Sequence, residues 1–255
     1  MQTEEEELSA LQTLIRSGEF RHSYEVGRKT EGKVFDRRTL LNLYTAIKNF
    51  GIESVDYPIS SGKESIVFKA TKKNEKVAIK IYRMSTLQFS NIEKYIAGDS
   101  RFERERRDRS RVVFLWARKE YANLIGMTNA GIFVPRPFYL QGNVLVMKYI
   151  GTESRPAPMI KNYDPDPEDS YRQVAEIMKR MYQRAGLIHG DLSEYNLLYY
   201  RKRVCVIDVG QSVSIKHPMA MEFLERDIKN ITRFFIKEGV GANSESLLNQ
   251  VTQDE

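Results

Sequence analysis

The residues best suited to chemistry are His189-Gly190-Asp191-Leu192-Ser193-Glu194-Tyr195-Asn196, followed by Asp208 behind the apolar run Val204–Ile207. Moving a phosphoryl group to a hydroxyl needs a carboxylate that orients the hydroxyl and takes its proton, a role Asp191 offers. It also needs hard oxygen ligands for a divalent cation, which Asn196 and Asp208 supply. An Asp with an Asn five positions on also describes an ordinary turn. Joined to a hairpin that delivers a second Asp, the combination points to catalysis.

A second group is Val77-Ala78-Ile79-Lys80. Strand alternation puts Ala78, Lys80 and Tyr82 on one face and Val77, Ile79 and Ile81 on the other. Ala78 leaves room for a flat base, and Lys80 beside it reaches α and β phosphates. Most strand lysines simply extend to solvent, so this one needs a partner. Glu120 is the candidate, since its helical neighbours Trp116, Ala117, Asn123 and Leu124 form a largely apolar stripe. A carboxylate there is expensive unless paired. The competing reading puts Glu120 at the border of a solvated side marked by Arg118 or Lys119.

The segment Ser60-Ser61-Gly62-Lys63-Glu64-Ser65-Ile66-Val67 is a candidate phosphate loop. Against the kinase pattern G-x-G-x-x-G-x-V only Gly62 and Val67 match, with Ser60 and Ser65 in the other glycine places. A Walker loop is excluded, because glycine would be required at Tyr57. The serines fit plain turn residues as well. Gly190 stands where regulated protein kinases carry an arginine that answers activation-loop phosphorylation. No A-P-E follows Asp208-Val209-Gly210, and a helix starts within about eight residues, so no activation loop is expected.

Elements must hold these residues in place. Leu8 to Arg16 reads as a short helix, and a second begins after the cap Asp36, repeats Leu40, Leu43, Tyr44 and Ile47, and stops at Gly51. Ser65–Ala70 and Lys76–Tyr82 read as a hairpin turned at Lys73-Asn74-Glu75. A strong helix follows from Val112 to Thr128, then strands Phe138–Leu140 and Val144–Ile150 joined by Gly142-Asn143. Four prolines between Gly151 and Pro167 mark a linker. Beyond it lie a helix from Glu168 to Ala185, strands Leu197–Tyr200 and Val204–Ile207, and a helix from Pro218 burying Phe223, Leu224, Ile228, Ile231 and Phe235. The expectation is an α+β chain with an N-terminal helical extension (1–54), a β-rich lobe (55–150, with a mobile loop at about 83–111) and a helical lobe (151–255), with a cleft between the lobes.

Composition sets limits. The 255 residues carry 40 Lys+Arg and 34 Asp+Glu, a net +6, with 41% hydrophobic residues and one cysteine. These values exclude wholesale disorder and an intrachain disulfide. The longest apolar run, Val112–Ala117, is far short of the ~20 residues a membrane-spanning helix needs. The acidic Glu4–Glu7 start does not match a secretory signal, and a cytoplasmic protein without a membrane partner is expected.

These residues resemble the RIO family of atypical protein kinases, specifically its type-one branch. The resemblance rests on Ser60–Glu64, Lys80-Ile81-Tyr82-Arg83-Met84-Ser85-Thr86-Leu87-Gln88-Phe89, His189–Asn196, Ile207-Asp208-Val209-Gly210-Gln211-Ser212-Val213 and His217-Pro218. It runs from roughly Tyr44 to Phe235. Gly210 departs from the serine expected there, and the winged-helix domain of the type-two branch is not legible in the first 50 residues.

The resemblance implies a trimmed bilobal protein-kinase-like fold, with extra N-terminal helices and no activation loop, that binds ATP with Mg²⁺ or Mn²⁺. It assigns catalysis to Asp191 and metal binding to Asn196 and Asp208. ATP contacts fall to Ser60, Ser61, Gly62, Lys63, Glu64, Ser65, Val67, Ala78, Lys80 and Glu120, with Met147, Lys148 and Ile150 at the hinge. It further implies serine autophosphorylation, or an ATPase switch through a phosphorylated Asp208, in maturation of the small ribosomal subunit. The pre-small-ribosomal-subunit particle is the implied partner, with RNA contact through Arg101–Arg111. The rival readings are a small-molecule kinase of the aminoglycoside or choline type, and a ribosome-assembly factor that uses ATP only as a conformational ligand.

Overall fold

The computed structural model describes residues 3–14, 35–84, 94–99, 101–102 and 109–253. They form helices α1 (Glu4–Leu14), α2 (Arg37–Phe50), α3 (Arg109–Asn129), α4 (Pro167–Gln183), α5 (Ala220–Lys237) and α6 (Ser244–Thr252). The strands are β1 (Ser54–Ser61), β2 (Ser65–Lys72), β3 (Glu75–Tyr82), β4 (Pro137–Gln141), β5 (Val144–Lys148), β6 (Leu187–Ile188), β7 (Leu197–Tyr200), β8 (Arg203–Val206) and β9 (Val213–Ser214). The chain divides into two compact units. One comprises Met1–Phe89, Arg106–Tyr121 and Pro137–Tyr149, and the other Ser90–Glu105, Ala122–Arg136 and Ile150–Glu255.

The first unit is an antiparallel sheet in the order β1-β2-β3-β5-β4. The β2–β3 turn uses two residues, Lys73 and Asn74, both at positive φ, the geometry whose twist matches the flanking strands. Glu75 therefore belongs to β3 and not to the turn. β1 was not legible as a strand. Its pairing with β2 is irregular around Pro58, which lacks the N–H a ladder needs.

α2 packs Leu40, Leu43, Tyr44 and Ile47 against Phe68, Val77, Ile79, Ile81 and Val146 in one core cluster. Each such side chain, once fully buried, contributes roughly 1.5–3 kcal/mol. Asp36 caps α2 by accepting the Thr39 N–H at 2.7 Å, and Gly51 closes it at φ 73°. α1 starts four residues ahead of the expected Leu8, because Thr3 and Glu6 cap each other's backbone N–H reciprocally and draw the acidic run into the first turns.

A buried asparagine sits in the β4–β5 turn. Asn143 donates to the Tyr82 carbonyl and the Thr39 hydroxyl and accepts from Asn42. Read from sequence it was only a turn residue.

In the second unit α4 begins with Pro167 behind the cap Asp166. Its face of Val174, Ile177, Met178 and Met181 is buried, and Tyr171 packs on Phe235 of α5. α5 buries the apolar face anticipated for it, but starts at Ala220. Pro218 precedes it in a turn where His217 Nδ1 accepts the Met219 N–H at 3.1 Å. Between Asp208 and α5 there are only one 3₁₀ turn (Val209–Gln211) and β9, so the activation loop is absent, as expected. Among the described residues, no helix is long and apolar enough to cross a membrane.

Candidate active site

In the first unit, β3 carries Lys80 on the sheet face opposite the α2 core. Its Nζ lies 2.7 Å from both carboxylate oxygens of Glu120 on α3. Lys80 is 6% and Glu120 1% exposed, so each charge depends on the other. Tyr82, two residues along the same face, donates a short hydrogen bond to Glu120. The border reading of Glu120 fails. Arg118 is exposed, but Lys119 is buried with its ammonium 5.7 Å from the Trp116 ring.

Register extends this face. Val67 lies opposite Lys80 on β2, and Met147 lies opposite Ala78 on β5. Directly opposed residues point the same way, so Val67, Ala78, Lys80 and Met147 share one surface. Lys148 is opposite Val77 on the other face, and the Ile150 carbonyl accepts from the Ala157 N–H at 3.0 Å.

The serine-rich segment is the exposed tip of the β1–β2 hairpin. Ser60 and Ser61 end β1, and Ser65 begins β2. The Gly62 N–H closes the turn by donating to the Ser65 carbonyl at 2.9 Å, and Glu64 O accepts from Arg83 N. The Gly62 N–H is thereby committed to the turn.

In the second unit, β6 leads into the loop 189–196, and α5 holds that loop from below. Asp227 accepts the Gly190 N–H at 2.7 Å and the Leu192 N–H at 2.8 Å through separate oxygens. Arg226 donates to the Gly190 carbonyl, and Asn230 to the Leu192 carbonyl at 3.3 Å. Gly190 has φ 81°, and a Cβ there would stand 3.0 Å from the Gln211 carbonyl oxygen. The glycine in the arginine's place is thus a backbone requirement.

Asp191 is exposed at the end of this support. The protein atoms crowding its carboxyl, and secondarily the Asp208 charge, raise its pKa above the ordinary value, against Arg226, Lys94 and a hydrogen bond from Gln211. The Asn196 amide nitrogen donates to the Asp191 carbonyl at 2.8 Å, which leaves its oxygen as the atom for a ligand. The Asn196 carbonyl accepts from the Ile207 N–H, and the His189 ring bonds the Ile207 carbonyl at 3.2 Å. Asp191 and Asn196 are thus joined directly, and the strand end that carries Asp208 is tied to the same loop through Ile207.

Asp208 itself is exposed and adopts φ 59°, ψ 52°, a left-handed conformation that is unfavourable by roughly 1–2 kcal/mol for a residue with a Cβ. An amide oxygen and an exposed carboxylate are hard donors of the kind that suit Mg²⁺. Among the described residues no group of three or more His, Cys, Asp or Glu side chains forms a metal site.

Asp227 was missed in the sequence, although the signal used for Glu120 applies to it. It falls on the buried face of α5 between Leu224 and Ile228, a carboxylate at a core position that needs dedicated donors. Arg104, Arg106 and Arg107 of the basic segment lie outside the described residues. Arg101 is paired with Asp99 at 2.7 Å.

A five-stranded antiparallel sheet with a lysine–glutamate pair, followed by a helical unit carrying Asp191, Asn196 and Asp208, defines the protein-kinase-like phosphotransferase class. Residues 66–247 match the family model of the RIO domain. The chain is 48% identical over 182 residues to the RIO-type serine/threonine-protein kinase Rio1 of Thermoplasma acidophilum, covering 71% of this chain and 96% of that one. It is 42% identical over 229 residues to the Rio1 kinase of Haloferax volcanii, covering 89% and 79%. The crystal structure of the Rio2 kinase–ADP/Mg²⁺–phosphoaspartate complex from Chaetomium thermophilum superposes with a TM-score of 0.65 at 24% identity, covering 93% of this chain and 77% of that one. The chain belongs to the RIO family of atypical serine/threonine protein kinases, in its type-one branch.

Proposed function

We propose that the chain transfers the γ-phosphoryl group of ATP to serine or threonine hydroxyls, its own included, with Mg²⁺ or Mn²⁺. The observation that carries this reading is the Asp191–Asn196 loop, suspended by its backbone from Asp227 and tied through Ile207 to the chain that carries Asp208. Asp191 accepts the hydroxyl proton as the oxygen attacks phosphorus. The bond from phosphorus to the β–γ bridging oxygen breaks, and ADP leaves. Asn196 Oδ1 and the Asp208 carboxylate would hold the metal, which would supply positive charge against the phosphates. Lys80, kept extended by Glu120, pairs with the phosphates, and the Ser60–Ser65 tip covers them. Ala78, Val67 and Met147 take the adenine, with main-chain bonds from Lys148 and Ile150.

The exposed carboxylate of Asp208 supports a second use of the same site, as a nucleophile forming an aspartyl-phosphate that water then hydrolyses. The phosphoaspartate of the Rio2 complex supports it too. Single-turnover reactions with γ-labelled ATP separate the two. Hydroxylamine-labile label that disappears in Asp208→Ala identifies the ATPase cycle, whereas stable label on serine identifies the kinase. Loss of the serine label in Asp191→Ala, with ADP binding retained, is expected for the kinase, and unchanged serine phosphorylation in that variant removes the proposal.

We further propose that the chain acts in cytoplasmic maturation of the small ribosomal subunit, a reading its membership of the RIO family supports. With Arg101 engaged by Asp99, the RNA contact would rest on the other arginines up to Arg111. Charge reversal at Arg104, Arg106 and Arg107 should weaken pre-ribosome binding most at low salt.

A further inference from the structure

Ahead of α3, residues 94–99 and 101–102 lie in the same unit as Asp208. Tyr95 packs on Phe223 at 5.2 Å, the His217 ring bonds the Ala97 carbonyl at 2.7 Å, and Gly98 is pressed against Pro218. The segment is thus anchored before it reaches its charged residues.

Asp99 is wholly buried. Its two oxygens accept Nε and one terminal nitrogen of Arg101 at 2.9 and 2.7 Å. The other terminal nitrogen of Arg101 donates to Asn123 Oδ1 at 2.9 Å. Asn123 is also wholly buried, and because its oxygen is claimed by a cation its nitrogen points the opposite way. That nitrogen donates to Val209 O at 2.8 Å and Ser212 O at 3.0 Å. These carbonyls bracket the 3₁₀ turn that begins directly after Asp208, and Val209 O also accepts the Ser212 N–H at 3.1 Å.

Asp208 holds a disfavoured left-handed backbone, which persists only where surrounding contacts over-determine it. We propose that Arg101 and Asn123 are positioning residues for Asp208. They fix the turn that aims its carboxylate, and so set how well the site holds its metal. The inference rests on Asp208 being a metal ligand and adds the device that sets its direction. A brace for the fold alone has no need to end on both carbonyls of that one turn. Arg101 also keeps about a third of its side chain open to solvent, so the relay can be disturbed without opening the core.

Arg101→Lys tests this, because lysine still neutralises Asp99 but lacks the fork that reaches Asn123 at the same time. In nucleotide-free and metal-free protein, amide hydrogen exchange at Ser212 should accelerate. ADP affinity in EDTA should stay unchanged, while the gain in affinity brought by Mg²⁺ should fall about tenfold, as for other residues supporting metal ligands. Asn123→Ala should do the same, and the double variant should be no weaker than Asn123→Ala alone. Unchanged Mg²⁺ gain and Ser212 exchange in both single variants, or additive losses in the double, would overturn the proposal. Asp208→Ala separates the two levels. If it abolishes the Mg²⁺ gain while Arg101→Lys and Asn123→Ala preserve it, only the relay fails. If it too preserves the gain, the metal assignment itself fails and the relay falls with it.

Discussion

Asp227 suspends Asp191 by its two neighbours, accepting the N–H of Gly190 on one side and of Leu192 on the other at 2.7 and 2.8 Å. The catalytic candidate is held through its backbone and not through its own carboxylate by this aspartate. Asp227→Asn turns an amide N–H₂ toward one of these donors and strands a buried group, a loss of about 1–3 kcal/mol. The expected result is a fall in kcat of roughly 5- to 150-fold at that energy, with ADP affinity nearly unchanged. Steady-state kinetics beside ADP titration check it.

The same aspartate should make stability depend on pH. Burial, between Met178, Met181 and Leu224 among others, pushes its pKa up to about 7 from 3.8, against the two backbone donors. Between those values the native protein holds a proton the unfolded chain has released. The contribution of this group is thus fully present below about pH 4, falls as pH rises, and levels off above about 7. Urea midpoints measured across that window should decline less steeply in Asp227→Asn than in the parent. Equal slopes would count against the burial argument.

Lys80 and Glu120 form a pair whose halves are costly apart. Glu120→Ala leaves an ammonium buried and should destabilise by about 3–5 kcal/mol. Lys80→Met combined with Glu120→Leu should recover much of that stability while ATP binding stays lost. A double-mutant cycle in urea reads the coupling, and additivity would show that the pair carries no joint role.

Arg226 lowers the Asp191 pKa that the crowding of its carboxyl by protein atoms raises. Arg226→Gln removes the charge yet keeps a donor for the Gly190 carbonyl. The acid limb of the kcat profile, set by the pH at which Asp191 loses its proton, should move to higher pH. An unmoved limb assigns that limb to another group.

Gly190→Ala should destabilise by roughly 1–2 kcal/mol from the left-handed backbone alone. The contact with the Gln211 carbonyl adds to that, so the thermal midpoint should drop visibly. Restoring the arginine of regulated kinases at this position should be worse still.

Sequence alone determined the candidate site residues and most of the elements that carry them, because those signals are local. Asp191, Asn196 and Asp208 announce themselves by type and spacing. Asp36 and Gly51 bound a helix through their own caps, and strand alternation by itself put Lys80 and Tyr82 on one face. Pairing Lys80 with Glu120 was legible too, since a carboxylate in an apolar stripe demands a cation.

Tertiary structure alone decided what holds those residues still. Asn123 meets Val209 and Ser212 across 86 and 89 positions, Asp227 meets Gly190 across 37, and Asn143 joins Thr39 across 104. No periodicity encodes such partners. A buried polar side chain states only that it must be satisfied, and the partner emerges when packing brings distant backbone within hydrogen-bond reach. The Gly62 N–H is a further case: it closes its own turn on the Ser65 carbonyl, a consequence of hairpin length that only the folded chain reveals.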